Sequence, residues 1–315
     1  MTILRALAMA AAVLAAPAAF ADCSAPPPVQ RDIIADSYYD DPPVNSHIDP
    51  VKHAAYEAAV KPLEAYLGSV ARMASSGDKV CTLRWLVAWA EGDAMLGKIA
   101  KEQAHYERKW VLAGMALSYA KVRDGASRDQ KAAIDNWLLA LADGVRRHSD
   151  AYKGTRNNHY YWEGLAVAAT GAVTGNAKDL EWGRKVFHDA ENDIADDGTL
   201  PLEMKRGSRA LHYHLFAAEP LVMLESILDE HSAKLGKLIA FCIAGSADLD
   251  MVAKRAGVPQ LGLGNGDLDW VTVVLRHNPP APGNAIHFGN HHDRPDVTRL
   301  GGDLSKPNPL EHVGK

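Results

Sequence analysis

Apolar side chains recur at the three- and four-residue spacing of amphipathic helices from about residue 51 to about residue 249. The pattern predicts eight long helical segments, separated by short connectors that are polar or contain glycine. These segments are 49–74, 81–96, 107–123, 127–148, 160–175, 177–194, 207–230 and 231–249. Long helices joined by short connections favour antiparallel neighbours. We therefore predict an all-α fold, an α/α toroid of antiparallel helical hairpins.

Two parts of the chain lack this periodicity. Residues 22–50 are rich in proline and aspartate, which predicts an extended N-terminal arm with an exposed loop. From Gly257 onward the chain is richer in glycine, proline and histidine, and we expect this part to consist mainly of loops. No shift in composition marks a boundary between domains, so residues 51–315 are interpreted as one domain.

The first residues have the pattern of a secretory signal peptide. Arg5 precedes an apolar run of small residues that is too short to span a bilayer, and residues 19–21 read Ala-Phe-Ala. We therefore predict a signal peptide at 1–21, cleavage after Ala21 and export to the periplasm. No other apolar stretch approaches the length of a transmembrane helix, so no membrane insertion is expected.

The balance of charge narrows the class of partner. The chain has 34 lysine and arginine residues against 39 aspartate and glutamate residues, which argues against nucleic acid. An anionic ligand would therefore need a local cluster of basic side chains, because net charge alone would repel it. We expect the protein to be a monomer.

The sequence contains three cysteines, and export permits disulfides among them. Cys242 lies in the apolar segment LIAFCIAGSA, where a buried free thiol is expected. Cys23 and Cys81 are then the expected pair, which would join the N-terminal arm to an early helix. Sequence spacing by itself leaves the other pairings open.

The stretch TRNNHYYWEG has two interpretations. The structural one is a helix start, with Asn157 or Asn158 as the N-cap and with Tyr161 and Trp162 in the core. The functional one uses the same geometry, because a helix N-terminus presents free N–H groups and favours an anion. Asn158 and His159 could then both donate hydrogen bonds to a carboxylate. A ring such as that of Trp162 could form a platform for a sugar.

A second stretch, LPLEMKRGSRALHYHLF, combines basic residues with a tyrosine. Arg206 and Arg209 lie seven and four residues before Tyr213, so a helix through all three would place them on one face. The structural interpretation is a solvated basic helix start with a half-buried tyrosine. The functional interpretation starts from the pKa of a tyrosine hydroxyl, which is about 10 and which nearby cations lower. Tyr213 is thus a candidate base, and Arg209 is a candidate substrate contact.

Two further kinds of site are conceivable. The densest histidine clusters are HYH at 212–214 and NHHD at 290–293, but neither has the spacing of a zinc motif, and no metal site is expected. In a helix, His212 and His214 would not share a face. The acidic segment at 189–198 could hold the carboxylate pair of a glycoside hydrolase, although a charge-rich helix end is the simpler interpretation.

Together, NNHYYW and LPLEMKRGSRALHYH resemble the motifs NNHSYW and LPNELKR-x-x-RALAYH of the alginate lyases of polysaccharide lyase family five. CTLRWLVAWAEGDAML, RKWVLAGMALSYAKVR, TRLGGDL and CSAPPP also resemble segments of this family, so the resemblance covers most of the chain. It implies an incomplete (α/α) toroid with a central cleft, in agreement with the helical pattern. It also implies an anionic polysaccharide as substrate, with no metal and no organic cofactor.

The resemblance implies roles for individual residues. Asn158 and His159 match the pair that contacts the substrate carboxylate. Arg206 matches the arginine of the cleft, and Tyr213 matches the catalytic tyrosine. Arg299 matches a C-terminal arginine that reaches the substrate. The implied reaction is β-elimination on a 4-linked uronate, in which the tyrosine removes H5 and then protonates O4.

The arm departs from the family pattern in a segment that the resemblance identifies as a lid loop. Where the family reads about SKYEGSD, this chain has DSYYDDPP, so Tyr39 takes the place of the lid tyrosine and Tyr38 replaces the adjacent lysine. Tyr160 replaces the serine of NNHSYW. We expect Tyr38 and Tyr39 at the substrate, polymannuronate as the leading substrate and polyglucuronate as a competitor. The alternatives are a glycoside hydrolase on a similar toroid and a non-catalytic polysaccharide-binding protein.

Overall fold

The computed structural model describes residues 23–42, 45, 47–277 and 292–312, so the predicted signal peptide lies outside the described residues. Helices make up most of this part. The α-helices are α1 Pro50–Ser76, α2 Lys79–Glu91, α3 Glu102–Ala120, α4 Arg128–Ala151, α5 Asn158–Thr174, α6 Ala177–Asp193, α7 Pro201–Met204, α8 Ala210–Leu228, α9 Ala233–Ala247, α10 Leu249–Ala256 and α11 Val271–His277. Four short strands form two pairs. They are β1 Ile33–Ile34 with β2 Ile99–Ala100, and β3 Asp296–Val297 with β4 Gly302–Asp303.

Polar caps and glycines set the ends of the long helices. Asp49 accepts hydrogen bonds from the backbone N–H groups of Val51 and Lys52 at the start of α1. Ser127 and Gln130 form a capping box at the start of α4. Helices α1, α5 and α10 each end at a glycine with positive φ, a conformation that glycine adopts with little steric penalty. The local sequence therefore determines where these helices start and stop.

The helices pack as two layers of a toroid. Helices α1, α3, α5 and α8 contact one another in that order and form the inner layer, while α2, α4, α6 and α9 pack outside them. Helices α3 and α5 are buried on nearly all sides because small and apolar residues surround their axes. The predicted all-α toroid is confirmed. Within the described ranges, none of the helices is long and apolar enough to cross a membrane.

The structure differs from the prediction at several places, of which those in the second half of the chain bear on the site. The helix expected at 207–230 begins only at Ala210, because Gly207–Arg209 forms a turn of 3-10 helix before it. The segment 231–249 is divided at Asp248, whose side chain accepts hydrogen bonds from the first N–H groups of α10. The C-terminal part contains long loops, as predicted, but also α11 and the β3–β4 pair.

The N-terminal arm is attached to the toroid over its whole first part. Cys23 and Cys81 form a disulfide, and Cys242 is a buried free thiol, so the predicted pairing is confirmed. The indole N–H groups of Trp85 and Trp89 donate to backbone oxygens of the arm at 2.9 and 3.1 Å. Strand β1 of the arm then pairs with β2 in parallel. These contacts fix where the following loop leaves the toroid.

Replacing both Cys23 and Cys81 by serine should lower the free energy of unfolding by roughly 2–4 kcal/mol, because the open chain gains conformational entropy. Chemical denaturation of the protein, with and without reductant, measures this difference. Peptide mapping without reductant should yield the Cys23–Cys81 cross-linked peptide. An identical denaturation midpoint in oxidised and reduced protein would contradict a stabilising disulfide.

Candidate active site

A cleft of about 1270 Å³ opens at the inner layer of the toroid. Its walls come from the loop of the N-terminal arm, α3, the start of α5, the α7–α8 region and the C-terminal segments. Seven residues predicted from the sequence line it: Tyr38, Tyr39, His159, Arg206, Arg209, Tyr213 and Arg299. The fold therefore brings together side chains that are far apart in the sequence. Asn158 and Trp162, which were also predicted, are not in the lining.

The arm loop meets the cleft at the hydroxyl group of Tyr213. This tyrosine lies in the first turn of α8, and its hydroxyl oxygen is 3.0 Å from that of Tyr39. It also donates to the backbone oxygen of Asn45 at 3.3 Å. The ring of Tyr38 packs on that of Tyr56, with 4.8 Å between the ring centres, and this contact holds the loop against α1. The loop thus covers Tyr213, which is the position expected of a lid.

The two arginines before α8 reach Tyr213 by a different route from the one predicted. Because α8 starts at Ala210, Arg206 and Arg209 do not share a helical face with Tyr213, and that expectation is wrong. Gly207, with φ of 56°, turns the backbone between them. The guanidinium carbons of Arg206 and Arg209 lie 3.6 and 5.5 Å from the centre of the Tyr213 ring. The turn therefore concentrates positive charge on the aromatic face.

The pKa of Tyr213 is nevertheless raised above its ordinary value. Burial is the main cause, while Arg206 acts in the opposite direction and the neighbouring Tyr39 hydroxyl adds to the rise. The arginines do lower this pKa, as expected, but burial outweighs them, so the expected net lowering is wrong for the protein with its lid in place. The lid removes water from the hydroxyl group, which penalises the phenolate more than the arginines favour it. Any phenolate must then become more populated as pH rises.

His159 is held in the cleft wall by aromatic stacking. Its ring centre is 3.6 Å from that of Tyr106, and the two planes differ by 11°. Burial, followed by the charges of Lys109, Arg206 and Arg299, lowers the pKa of His159 well below its ordinary value. The imidazole is therefore neutral at pH 7. A neutral imidazole has one N–H group and can donate one hydrogen bond to a carboxylate without carrying charge.

Asn158 is buried behind the cleft wall, and its amide is already engaged. Its backbone N–H and its side-chain Nδ2 both donate to Glu203 Oε1, at 3.0 and 2.7 Å. Asn158 is 0% exposed in this structure, and its contact with a substrate carboxylate stays a prediction. Its neighbour Asn157 does line the cleft, and it caps α5 by accepting the N–H of His159 at 3.1 Å.

Glu203 is a site residue that the sequence analysis missed. Its carboxylate is almost fully buried, and its second oxygen lies 3.9 Å from the guanidinium of Arg206. The available signal was an acidic residue inside the apolar segment LPLEM, since a carboxylate buried among apolar neighbours needs partners. Glu203 thus connects the start of α5 with the turn that carries Arg206.

Trp162 lies in the core, as the structural interpretation predicted, and not at the surface of the cleft. Its indole is 0% exposed and donates to the backbone oxygen of Phe216 at 3.1 Å. The cause is the position of α5, which is buried on nearly every side, so that a residue one turn after His159 faces the core. The rings that do line this part of the cleft are those of Tyr106 and Trp110, both on α3.

Arg299 approaches the cleft from the C-terminal segment. It lies in the 3-10 turn Thr298–Leu300, and its guanidinium carbon is 4.1 Å from the centre of the Trp110 ring. This contact adds a third positive charge to the lining of the cleft, besides those of Arg206 and Arg209. The expected location of Arg299 at the cleft agrees with the structure.

The histidine cluster at 212–214 is divided by the helix. His212 lines the cleft, whereas His214 is buried on the other side of α8. His214 Nε2 accepts the backbone N–H of Leu200 at 2.9 Å, and its Nδ1 contacts the oxygen of Ala210 at 2.7 Å. Both nitrogens of His214 are therefore committed to backbone groups, which is a structural role. His291 of the second cluster lies outside the described residues.

The acidic segment at 189–198 lies away from the cleft, and none of its described carboxylates is in the lining. Asp189 and Asp193 accept hydrogen bonds from the hydroxyl groups of Tyr160 and Tyr161, at 2.8 and 2.9 Å. Tyr160, which replaces a serine of the family motif, therefore serves the outer side of α5. A glycoside hydrolase built on this segment is not compatible with the geometry.

Acidic side chains line the cleft farther along α8. Glu219 follows His212 by seven residues, two helical turns or about 10 Å along the axis. Asp267 and Asp269 face the same part of the cleft. Burial raises the pKa of Glu219 to about 7; Arg299 lowers it, and the two aspartates raise it further. The cleft is therefore cationic beside Tyr213 and acidic beyond it.

Comparison with known proteins agrees with this architecture. The family model described as alginate lyase matches residues 34–241. A polysaccharide lyase of Stenotrophomonas maltophilia is 40% identical over 318 residues, which covers 95% of this chain and 94% of that protein. An alginate lyase of Azotobacter vinelandii is 30% identical over 268 residues, 76% of this chain and 71% of that protein.

Solved structures show the same fold. The structure of alginate lyase A1-III from Sphingomonas species A1 has a TM-score of 0.71 and 21% identity, and the match covers 92% of this chain and 86% of that one. A variant of alginate lyase A1-III complexed with a tetrasaccharide gives a TM-score of 0.72 with 22% identity, covering 92% and 85%. The fold, the cleft and these relatives define a polysaccharide lyase. The chain belongs to the alginate lyase family.

The raised pKa of Glu219 predicts a pH-dependent stability difference. A carboxyl group whose pKa is higher in the folded protein than in the unfolded chain binds its proton more tightly when folded, so its contribution is greatest below about pH 4.5. That contribution is lost as pH rises from there to about 7. Glu219→Gln should therefore unfold at a temperature at least about 2 °C higher than the wild type at pH 8.

Calorimetry of both proteins across this pH range tests the expectation. The difference should shrink towards acidic pH, because Glu219 is then protonated in the folded and unfolded states alike. A difference between the two melting temperatures that does not change with pH would contradict a raised pKa.

Proposed function

We propose that this protein is a periplasmic lyase that cleaves 4-linked uronate polysaccharides by β-elimination, with polymannuronate, the mannuronate form of alginate, as its leading substrate. The observation that carries this proposal is the Tyr213 hydroxyl, which lies under the lid beside Arg206 in the same cleft as the neutral His159. Membership of the alginate lyase family supports the reaction class. No role for a metal or an organic cofactor is needed in the steps below.

The first requirement of the reaction is stabilisation of the sugar carboxylate. Removal of H5 places additional negative charge on this group, so donors that strengthen as charge develops lower the barrier. Arg206 supplies a positively charged guanidinium, and His159 supplies an N–H group from a neutral imidazole. Arg206 lines the cleft, and its buried Nε has no hydrogen-bond partner within the described part of the chain.

The second requirement is movement of a proton from C5 to O4. The Tyr213 phenolate removes H5, the C5–H electron pair forms the C4–C5 double bond, and the C4–O4 bond breaks. Tyr213, now a phenol, then gives that proton to O4 and returns to its starting state. The Tyr39 hydroxyl, 3.0 Å away, can donate to the phenolate oxygen in the stage before proton removal.

Stereochemistry favours mannuronate over its C5 epimer. In D-mannuronate, H5 and O4 lie on the same side of the ring, so one tyrosine between them can serve both steps. Glucuronate differs only at C2 and keeps this relation. In guluronate, H5 lies on the opposite face from Tyr213, and the carboxylate is displaced from Arg206 and His159. Galacturonate is epimeric at C4, so its O4 changes face.

Tyr213→Phe should lower kcat by at least ~100-fold, because the ring remains but the proton carrier is lost. The rate is measured by the ultraviolet absorbance of the unsaturated uronate product on polymannuronate. Tyr161→Phe is the matched control, since it removes a tyrosine hydroxyl that bonds Asp193 away from the cleft. The control should keep its rate. More than about a tenth of the wild-type rate in Tyr213→Phe would remove this residue from the proton transfers.

The same absorbance should rank a panel of polymers. We expect polymannuronate to be cleaved fastest, polyglucuronate to compete with it, and polyguluronate and pectate to be poor substrates. Tyr38, which stands in the place of a family lysine, removes a cation from the lid and relaxes the demand for one charge spacing along the polymer. Faster cleavage of polyguluronate than of both polymannuronate and polyglucuronate would overturn a same-side mechanism with one tyrosine.

A further inference from the structure

The imidazole of His159 lacks the usual means of orientation. A histidine that acts in a site is commonly fixed by a hydrogen bond to the ring nitrogen that faces away from the ligand. His159 Nδ1 is buried, and it has no hydrogen-bond partner among the residues that the structure describes. Because Nδ1 is the buried nitrogen, Nε2 is the one left to face the cleft. Something other than a hydrogen bond must therefore set the plane of the ring.

Tyr106 provides the flat surface against His159. The two ring centres are 3.6 Å apart with planes 11° from parallel, whereas the ring of Trp110 is 5.9 Å away and tilted by 37°. Parallel stacking at this distance confines an imidazole to sliding or turning within its own plane. The cleft side of His159 is open, so the stack is the closest contact that fixes its tilt.

The Tyr106 ring is itself held by two groups of α3. Its hydroxyl donates to Glu102 Oε1 at 2.7 Å, one turn earlier, and Lys109 Nζ lies 4.4 Å from its ring centre, about one turn later. Lys109 is fully buried and pairs with Glu163 at 3.3 Å. A buried ammonium with a carboxylate partner has little freedom, so it restrains the ring beside it.

These contacts join one face of α3 to one face of α5. Glu102, Tyr106 and Lys109 share a face of α3, and His159 and Glu163, four residues apart, share a face of α5. The result is a stacked ring pair next to a buried ion pair. The packing of α3 against α5 therefore sets the position of the imidazole at the surface of the cleft.

We propose that Tyr106 is a positioning residue for His159: its ring, fixed by Glu102 and Lys109, holds the imidazole so that Nε2 donates to the substrate carboxylate. This inference rests on the proposed function. The charged groups that face His159 from the neighbouring elements are Lys109 of α3, Arg206 of the α7–α8 turn and Arg299 of the C-terminal segment. They keep the imidazole neutral while the stack keeps water from its face.

Two substitutions of Tyr106 separate the ring from its hydroxyl. Tyr106→Phe keeps the stack and loses the hydrogen bond to Glu102, so its kcat on polymannuronate should fall clearly less than that of a variant without the ring. Tyr106→Leu removes the flat surface, and its kcat should fall about 10- to 100-fold, the effect of a catalytic group displaced by a fraction of an ångström to an ångström. Tyr106→Met is measured in parallel, because its flexible thioether fills the volume without a flat face.

A second readout does not depend on catalysis. NMR titration of the imidazole resonances of the free, full-length protein should show a pKa of His159 well below its ordinary value in the wild type and in Tyr106→Phe. In Tyr106→Leu and Tyr106→Met, water reaches the ring and the pKa should move up towards the ordinary value of about 6.5. His214, which bonds backbone groups on the other side of α8, is the internal reference and should not change.

The outcomes are distinct. Wild-type kcat with an unchanged His159 titration in Tyr106→Leu or in Tyr106→Met would overturn the positioning role. An equal loss of kcat in Tyr106→Phe and Tyr106→Leu would also overturn it, because the hydroxyl and not the stack would then matter. If the wild-type protein forms no unsaturated product from any uronate polymer, the proposed function fails, whereas the His159 titration still decides whether Tyr106 holds the ring.

Discussion

The arrangement of the cleft depends on one buried carboxylate. Glu203 accepts two hydrogen bonds from Asn158 and lies 3.9 Å from Arg206, so it connects the first residue of α5 with the turn before α8. Burial raises its pKa, and the two bonds from Asn158 lower it. Removal of either partner would leave a buried charge without compensation, which is a strongly unfavourable state. Because His159 directly follows Asn158, this connection fixes the imidazole and the guanidinium relative to each other.

The position of the lid depends on how the N-terminal arm is attached to the toroid. The disulfide of Cys23 and the indole contacts of Trp85 and Trp89 hold the arm against α2. The loop that follows reaches Tyr213 through Tyr39 and Asn45. Because this loop covers Tyr213, burial is the main cause of the raised pKa of its hydroxyl group. Closing the lid thus strengthens every charge interaction in the cleft and, at the same time, disfavours the phenolate.

The sequence was sufficient for the fold and for most of the cleft. Helical periodicity predicted the toroid, and the segments predicted to start at 49 and 127 are helices that begin one residue later, after the caps Asp49 and Ser127. The family motifs predicted His159, Arg206 and Tyr213 at one cleft. A motif gives the identity of neighbouring residues in the chain but not the side to which each one turns.

The errors have this cause. Trp162 is in the right motif, but the packing of α5 turns its ring towards the interior, and only packing between helices decides that. The pKa of Tyr213 could not be predicted either, because neighbouring cations are visible in a sequence and desolvation by a distant loop is not. Tyr106 was missed for the same reason, since its partner lies on another helix.

The most direct test of this account is a crystal structure of Tyr213→Phe with a tetrasaccharide of mannuronate in the cleft. The account predicts that the carboxylate of one sugar accepts hydrogen bonds from Arg206 and from His159 Nε2, and that H5 and O4 of this sugar both face the position of the missing hydroxyl. A carboxylate bound away from these two residues, or an O4 that faces a different side chain, would contradict it.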